Sequence, residues 1–333
     1  MAKKQKKKKT ASTIADLRKE LRKKYDERTI IQYTKGEPTP TIPTGCIRLD
    51  RALGNGGVPR SRMLELSGEN SSGKTTLALS IAAEAQRALK ERFVVYIDVE
   101  MALDTVWAET LGINFKLFDH CRPLTGEDAI SMLEAYIRTN QCSVIIVDSV
   151  AALLPKAVTA NEIGEANIGA QARLVSDAVK RCASLLRDYP DTIVIFINQK
   201  RARIGGGPAS FSFDPTKTTG GKALPFFCTT RLSLAKIESL KNADKEQVGQ
   251  VVMVNVLKHK VNGGPGARVK FSIDQERGID AAREVLELAI EKGLVEQKGT
   301  WYLFSDTEKE QGEAKAKTFI RENLKKWTKA VTS

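Results

Sequence analysis

The chain has 333 residues, 41% hydrophobic and 28% charged, with a formal net charge of +13. That length buries one large core, with or without small attachments, and the composition is that of a globular chain, not a disordered one. No apolar run approaches the roughly 20 residues that cross a bilayer, so a membrane protein is excluded, and the basic balance favours a polyanionic partner such as nucleic acid. The cysteines Cys46, Cys121, Cys142, Cys182 and Cys228 are scattered, with no C-x-x-C pair. This speaks against a disulfide framework or zinc site and for a reducing compartment. His120 and His259 are the only histidines, which leaves little material for histidine-based metal or acid–base chemistry.

Residues 1–11 begin MAKKQKKKKT with no apolar segment behind the lysines, so they read as a basic flexible tail, not a secretory signal. The chain is expected to stay inside the cell. Residues 12–44 predict a helix and linker: Ser12 or Thr13 caps a helix with Ile14, Leu17 and Leu21 at helical spacing, and TKGEPTPTIPTG then brings three prolines. Over 45–276, the apolar strands MLELSG, FVVYIDVE, SVIIVDS, TIVIFIN, RLSLAKI, VVMVNVL and RVKFSI alternate with helical stretches. The pattern predicts an α/β core with a mostly parallel sheet finished by antiparallel strands. Between 197 and 224 it gives way to INQKRARIGGGPASFSFDPTKTTGGKAL, a length of loop that is unusual inside a compact domain unless it is functional or disordered. Residues 277–333 predict a small α/β domain of one helix, a hairpin and a second helix over 315–329.

The strongest chemical signal is GENSSGKTT, which matches G-x-x-x-x-G-K-[ST] between a strand and the helical run TTLALSIAAEAQRAL. Gly68, Glu69, Asn70, Ser71, Ser72, Gly73, Lys74, Thr75 and Thr76 thus predict a phosphate cradle. In such a cradle backbone N–H groups face the phosphates, Lys74 adds a cation, and Thr75 offers its hydroxyl to Mg2+. Asp148 ends SVIIVDS where a buried parallel strand emerges, placed to hold Mg2+ through water. Glu100, at the end of FVVYIDVE, is placed to orient or deprotonate a water. Read singly, each is equally a solvent-facing acid at a strand end.

In this order the motifs resemble those of the bacterial RecA recombinases across nearly the whole chain. The residues that carry the resemblance are IPTGCIRLDRALGNGGVPRSRMLELSGENSSGKTTLAL, YIDVEMALD, VIIVDSVAALLPKA, FINQ and TTGGKAL. It implies a RecA-like P-loop ATPase that hydrolyses ATP in a DNA-dependent way, forms helical filaments on single-stranded DNA and pairs that strand with homologous double-stranded DNA. Recombination, DNA repair and the SOS response follow, in a cytoplasmic, nucleoid-associated setting, with a LexA-type repressor and loader proteins as further partners. By the same resemblance Glu100 is the catalytic glutamate, Asp104 and Trp107 hold adenine, Gln199 senses the γ-phosphate, and Lys258 and Lys260 reach a neighbouring subunit's γ-phosphate. Without it, Trp107 reads as core and the two lysines as solvated charges. Residues 161–173 correspond to a first DNA loop, with Ile168 as a wedge between bases and Arg173 and Lys180 on phosphates. The stretch from Lys200 to Gly221 corresponds to the second, with Lys200, Arg201, Arg203, Lys217, Gly220 and Gly221 facing DNA. Phe226 is the aromatic anchor of the subunit interface.

Three departures stand out. Pro225 replaces a lysine that joins subunits in the family, the second loop is longer and contains Phe211 and Phe213, and the chain ends LKKWTKAVTS without the family's acidic tail. The last leads us to expect less restrained duplex binding. A hexameric helicase or a DNA-coating mediator would share the phosphate loop, but TTGGKALPFF and the lysine pair speak against the first, Glu100 and Gln199 against the second.

Overall fold

The structure is a computed structural model that describes residues 13–25, 30, 35–159, 168–201, 217–218, 221–242, 244–261 and 264–332; of these, 159, 168, 201, 217 and 218 are described by backbone alone. Two compact units are present, Met1–Pro38 and Thr39–Ser333. In the first, helix α1 (Ile14–Tyr25) is capped by Thr13, whose Oγ1 accepts from Asp16 N at 3.1 Å. Ile14 and Leu17 are exposed; Ser12 lies outside the described residues.

The second unit runs in chain order β1 (Thr41–Ile42), α2 (Ile47–Ala52), β2 (Val58–Pro59), β3 (Met63–Gly68), α3 (Lys74–Ala88), β4 (Phe93–Asp98), α4 (Thr105–Thr110), β5 (Phe118–Cys121), α5 (Gly126–Thr139) and β6 (Cys142–Asp148). Next come α6 (Lys156–Thr159), α7 (Ile168–Asp188), β7 (Ile193–Arg201), β8 (Lys217–Thr218), α8 (Ala223–Phe227), β9 (Thr230–Lys241), β10 (Gln247–His259), β11 (Arg268–Asp274) and β12 (Gly278–Ile279). Among the described residues, nine of these strands lie side by side as β12-β11-β10-β9-β3-β7-β6-β4-β5, and β8 pairs with β7. The pairs from β9 through β5 are parallel and those from β9 to β12 antiparallel, the α/β architecture that the apolar runs predict. β5 escaped prediction because its four residues, FDHC, pair along only one side and include Asp119 and His120.

Both faces of the central strands are covered, which is why they read as continuous apolar runs. Alternate residues feed two cores. Leu64, Leu66, Val94, Tyr96, Val144, Ile146, Ile195 and Ile197 pack with α3, while Met63, Val95, Ile97, Ile145, Val147, Val194 and Phe196 pack with α5 and α7. Parallel register then aligns the strand ends: Gly68 pairs with Gln199, and Asp98 with Asp148.

The C-terminal residues build a third core from α9 (Ala281–Glu291), β13 (Glu296–Lys298), β14 (Trp301–Leu303), β15 (Lys309–Gln311), α10 (Glu313–Glu322) and α11 (Leu324–Thr332). The expected hairpin is a three-stranded sheet. The expected single helix over 315–329 is two, broken where Asn323 leaves helical angles at φ −121°, ψ 29°; asparagine competes with helix formation through its own side chain.

A buried carboxylate ties this part to the α/β core. Glu284 on α9 accepts from Ile47 N at 2.9 Å, Arg48 N at 2.7 Å and Cys46 Sγ at 3.2 Å, at the start of α2. One turn on, Asp50 accepts from Thr44 N and Thr44 Oγ1, both at 2.8 Å. Burial nevertheless raises the Asp50 pKa to about 7, with Glu284 and Glu84 adding to the rise against the Thr44 hydrogen bonds. The folded protein therefore keeps a proton that an unfolded carboxylate releases near pH ~4. This contribution to stability is complete in acid and is lost as pH rises towards about 7. Asp50→Asn should flatten the slope of Tm against pH across that window, as read by thermal melts in a pH series.

Candidate functional site

β3 delivers Gly68 and α3 takes over at Lys74, so the loop between them turns through the sheet edge. Gly73 has φ +88°, which favours glycine; a Cβ there would also lie 2.8 Å from Ile273 Cδ1, the movable end of a side chain. Lys74 is buried and its Nζ donates to Gly68 O at 3.1 Å and Glu69 O at 2.6 Å. Desolvation lowers its pKa, partly offset by Asp148 and Glu100. Ser72 Oγ is buried without a hydrogen-bond partner among the described residues, as an atom reserved for a ligand oxygen would be. Asn70 is exposed at the tip. The loop opens into a cavity of about 510 Å³ lined by Ser71 to Thr76, Trp107, Lys236, Gln250 and Gln275.

Three strand ends converge beside it. Asp148 Oδ2 accepts from Thr75 Oγ1 at 3.0 Å and from Tyr96 OH at 2.6 Å. Burial raises the Asp148 pKa in spite of both bonds, and burial followed by Asp148 raises that of Tyr96. Glu100 Oε1 accepts from Gln199 Nε2 at 2.9 Å and from Ser149 Oγ. The backbone N–H groups of Val99 and Glu100 donate to Asp148 O at 2.7 and 3.3 Å, so the β4 exit is pinned to the β6 exit. Asp98 is buried and folds that exit, accepting from Ala102 N at 3.1 Å and Leu103 N at 3.2 Å, with His120 Nε2 at 3.0 Å. Tyr96 had no signal in the sequence beyond its place in an apolar strand.

Asp104 caps α4, its Oδ1 accepting from Trp107 N at 3.0 Å, and Trp107 Nε1 donates to Thr76 Oγ1 at 3.2 Å. The indole packs on the first core and also lines the cavity.

Of the expected DNA residues, Arg173 and Lys180 are exposed two turns apart on α7, so they share a face, beside Gly221 and Phe226 in one groove. Lys180 Nζ lies 3.7 Å from Asp177 Oδ1. Ile168 opens the helix, so 168–173 is helical and not loop. Lys200 and Arg201 likewise belong to strand β7, paired with Thr218 and Lys217 of β8. The strand thus runs through Arg201, because ladder hydrogen bonding continues past its apolar part. Arg203, Phe211, Phe213, Gly220 and residues 160–167 lie outside the described residues.

Phe226 is exposed on α8, and Lys258 Nζ donates to Pro225 O at 2.7 Å and Phe226 O at 2.8 Å. Desolvation and the nearby Lys260 lower the Lys258 pKa. Lys260 is exposed just past the end of β10.

The sequence model of the RecA N-terminal domain matches residues 12–280, and that of the RecA C-terminal domain matches residues 283–329. The chain belongs to the RecA family. The protein named Protein RecA of Syntrophobacter fumaroxidans is 43% identical over 284 residues, covering 85% of this chain and 80% of its own. That of Marinobacter nauticus is 41% identical over 86% of this chain and 80% of its own, and that of Geobacter sulfurreducens 39% over 91% and 88%. As a RecA-family protein the chain is a recombination and DNA repair protein and a DNA-dependent ATPase, and it binds DNA and assembles into oligomeric filaments. Among the described residues no helix is long and apolar enough to cross a membrane.

Because the Asp148 carboxyl keeps its proton to higher pH in the folded protein than in the unfolded chain, ionising it at neutral pH opposes folding. Asp148→Asn retains an oxygen for Thr75 and Tyr96. It should raise the Tm of the nucleotide-free protein while abolishing DNA-stimulated hydrolysis, as measured by calorimetry and phosphate release.

Proposed function

We propose that this RecA-family chain couples ATP hydrolysis to strand exchange through one shared element, the end of β7. The Gln199 amide bound at 2.9 Å to Glu100 carries the reading. One residue at the root of the DNA-loop segment holds the carboxylate placed to act on water, so ligand at either place biases the other.

In this reading the loop from Gly68 to Thr76 cradles the phosphates. Lys74, held by carbonyls of its own loop, releases them to take the β- and γ-phosphate oxygens. Thr75 and Asp148 are hard oxygen donors 3.0 Å apart, a set that suits Mg2+; bound there with the nucleotide, it would neutralise charge on the phosphates. Glu100 orients and deprotonates the attacking water, and Trp107 offers its face to the adenine beside Asp104. Arg173, Lys180, Lys200, Arg201, Arg203 and Lys217, with the backbone at Gly220 and Gly221, hold single-stranded DNA, and Ile168 separates bases. Phe226 anchors a neighbouring subunit, towards whose γ-phosphate Lys258 and Lys260 reach. Residues 1–11 serve as a basic tail, 12–44 as a subunit-contact arm, 45–276 as the ATPase core and 277–333 as a C-terminal domain. A LexA-type repressor and loader proteins complete the partners, in a cytoplasmic, nucleoid-associated setting.

Lys74→Ala should abolish nucleotide-dependent filament activation. Glu100→Gln should retain ATP and DNA binding while DNA-stimulated kcat falls about 100-fold or more, the scale of a lost general base. Phosphate release and filament imaging check both, and normal turnover in Glu100→Gln would remove it as the catalytic carboxylate.

On the DNA side, Arg173→Ala and Lys180→Ala should weaken single-strand binding for all sequences alike. Each should flatten the slope of log affinity against log salt by about 0.7, measured by anisotropy titrations at several salt concentrations. An unchanged slope would place those side chains off the phosphates.

A further inference from the structure

Glu65 sits in the middle of β3, fully buried and out of reach of any ligand. Its two oxygens serve opposite neighbours: Oε1 accepts from Asn198 Nδ2 on β7 at 3.0 Å, and Oε2 from Arg231 Nε on β9 at 2.5 Å. Each neighbour borders a working part of the protein. Asn198, also fully buried, immediately precedes Gln199, whose amide rests on Glu100. Arg231 is the register partner of Lys258 on β10, and the Lys258 amine holds the Pro225 and Phe226 carbonyls of α8.

A fully buried carboxylate paired with a guanidinium whose side chain is 18% exposed is still costly to desolvate, and apolar side chains of similar volume would stabilise the fold about as well. What the pair adds is direction. The planar guanidinium and the carboxylate fix each other's orientation, and the second carboxylate oxygen passes that orientation to Asn198. Consecutive residues of one strand cannot shift independently, so a displacement of β7 that moves Gln199 against Glu100 also moves Asn198 against Glu65.

We propose that Glu65 is a positioning residue for DNA-dependent hydrolysis: it links Gln199 to the face bearing Lys258 and Phe226, so that seating of a neighbouring subunit on that face and seating of Gln199 on Glu100 occur together. This rests on the roles proposed above for Gln199 and Lys258. Glu65→Gln keeps the volume and removes the charge. It should leave the nucleotide KM and DNA-free nucleotide binding within about twofold of the parent while DNA-stimulated kcat falls about tenfold or more. The double variant Glu65→Leu with Arg231→Met restores packing; its Tm should equal or exceed the parent's, and its turnover should remain low.

A merely structural role predicts that turnover recovers with Tm. DNA-stimulated hydrolysis within twofold of the parent in either folded variant would overturn the proposal, and so would failure of both to fold, since Glu65 would then be a structural anchor. Combining Glu65→Gln with Gln199→Ala should cost no more than the worse single change, and an additive loss would sever the link. Gln199→Ala measured alone separates the two levels: normal turnover there would refute the site reading, whatever Glu65 does.

Discussion

Strands that run parallel and in register must end at the same edge, and the chemistry of this chain depends on that constraint. Gly68 and Gln199 are paired across β3 and β7, and Asp98 and Asp148 across β4 and β6. Four segments far apart in sequence therefore reach one place without any dedicated scaffold. The register is held by apolar side chains on both faces, because a one-residue slip would exchange the residues of the two cores. Catalytic geometry is thus a property of the packing, and a core substitution well away from the edge acts on the site by shifting a strand end.

At that edge, charged groups are kept in partly dehydrated positions by partners that, in the proposed reading, they give up to a ligand. Lys74 rests on the carbonyls of its own loop and Asp148 on two hydroxyls. Burial pushes the lysine pKa down and the carboxyl pKa up, so both are destabilised as charges and both gain from a phosphate and its counter-cation. In the proposed reading, binding exchanges one set of polar contacts for another and gives Ser72 Oγ, unpaired among the described residues, a partner.

Much of this was legible because its signals are local. The phosphate loop needs one spacing, and Asp148 and Glu100 are marked by the apolar runs that end at them. Gln199 and Trp107 gained their roles only from the family resemblance, since a strand-end amide and a half-buried indole have no signature of their own. Tyr96 and Glu65 were invisible for a different reason: their partners lie 52 residues away in the first case, and 133 and 166 away in the second. The stretch expected to be the second DNA loop reads as loop from Lys200 onward because its composition is polar and glycine-rich, yet backbone pairing with β8 carries the strand to Arg201. Composition reports where apolar burial stops; the ladder stops later.

Only three tryptophans occur in the chain. Trp301 and Trp327 both belong to the C-terminal sheet and helices, whereas Trp107 lines the cavity beside the phosphate loop with its indole N–H on Thr76. A ligand entering that cavity changes the polarity around one ring and leaves the other two in their own module. The protein therefore carries an intrinsic fluorophore at that cavity, and its emission reports occupancy without any label.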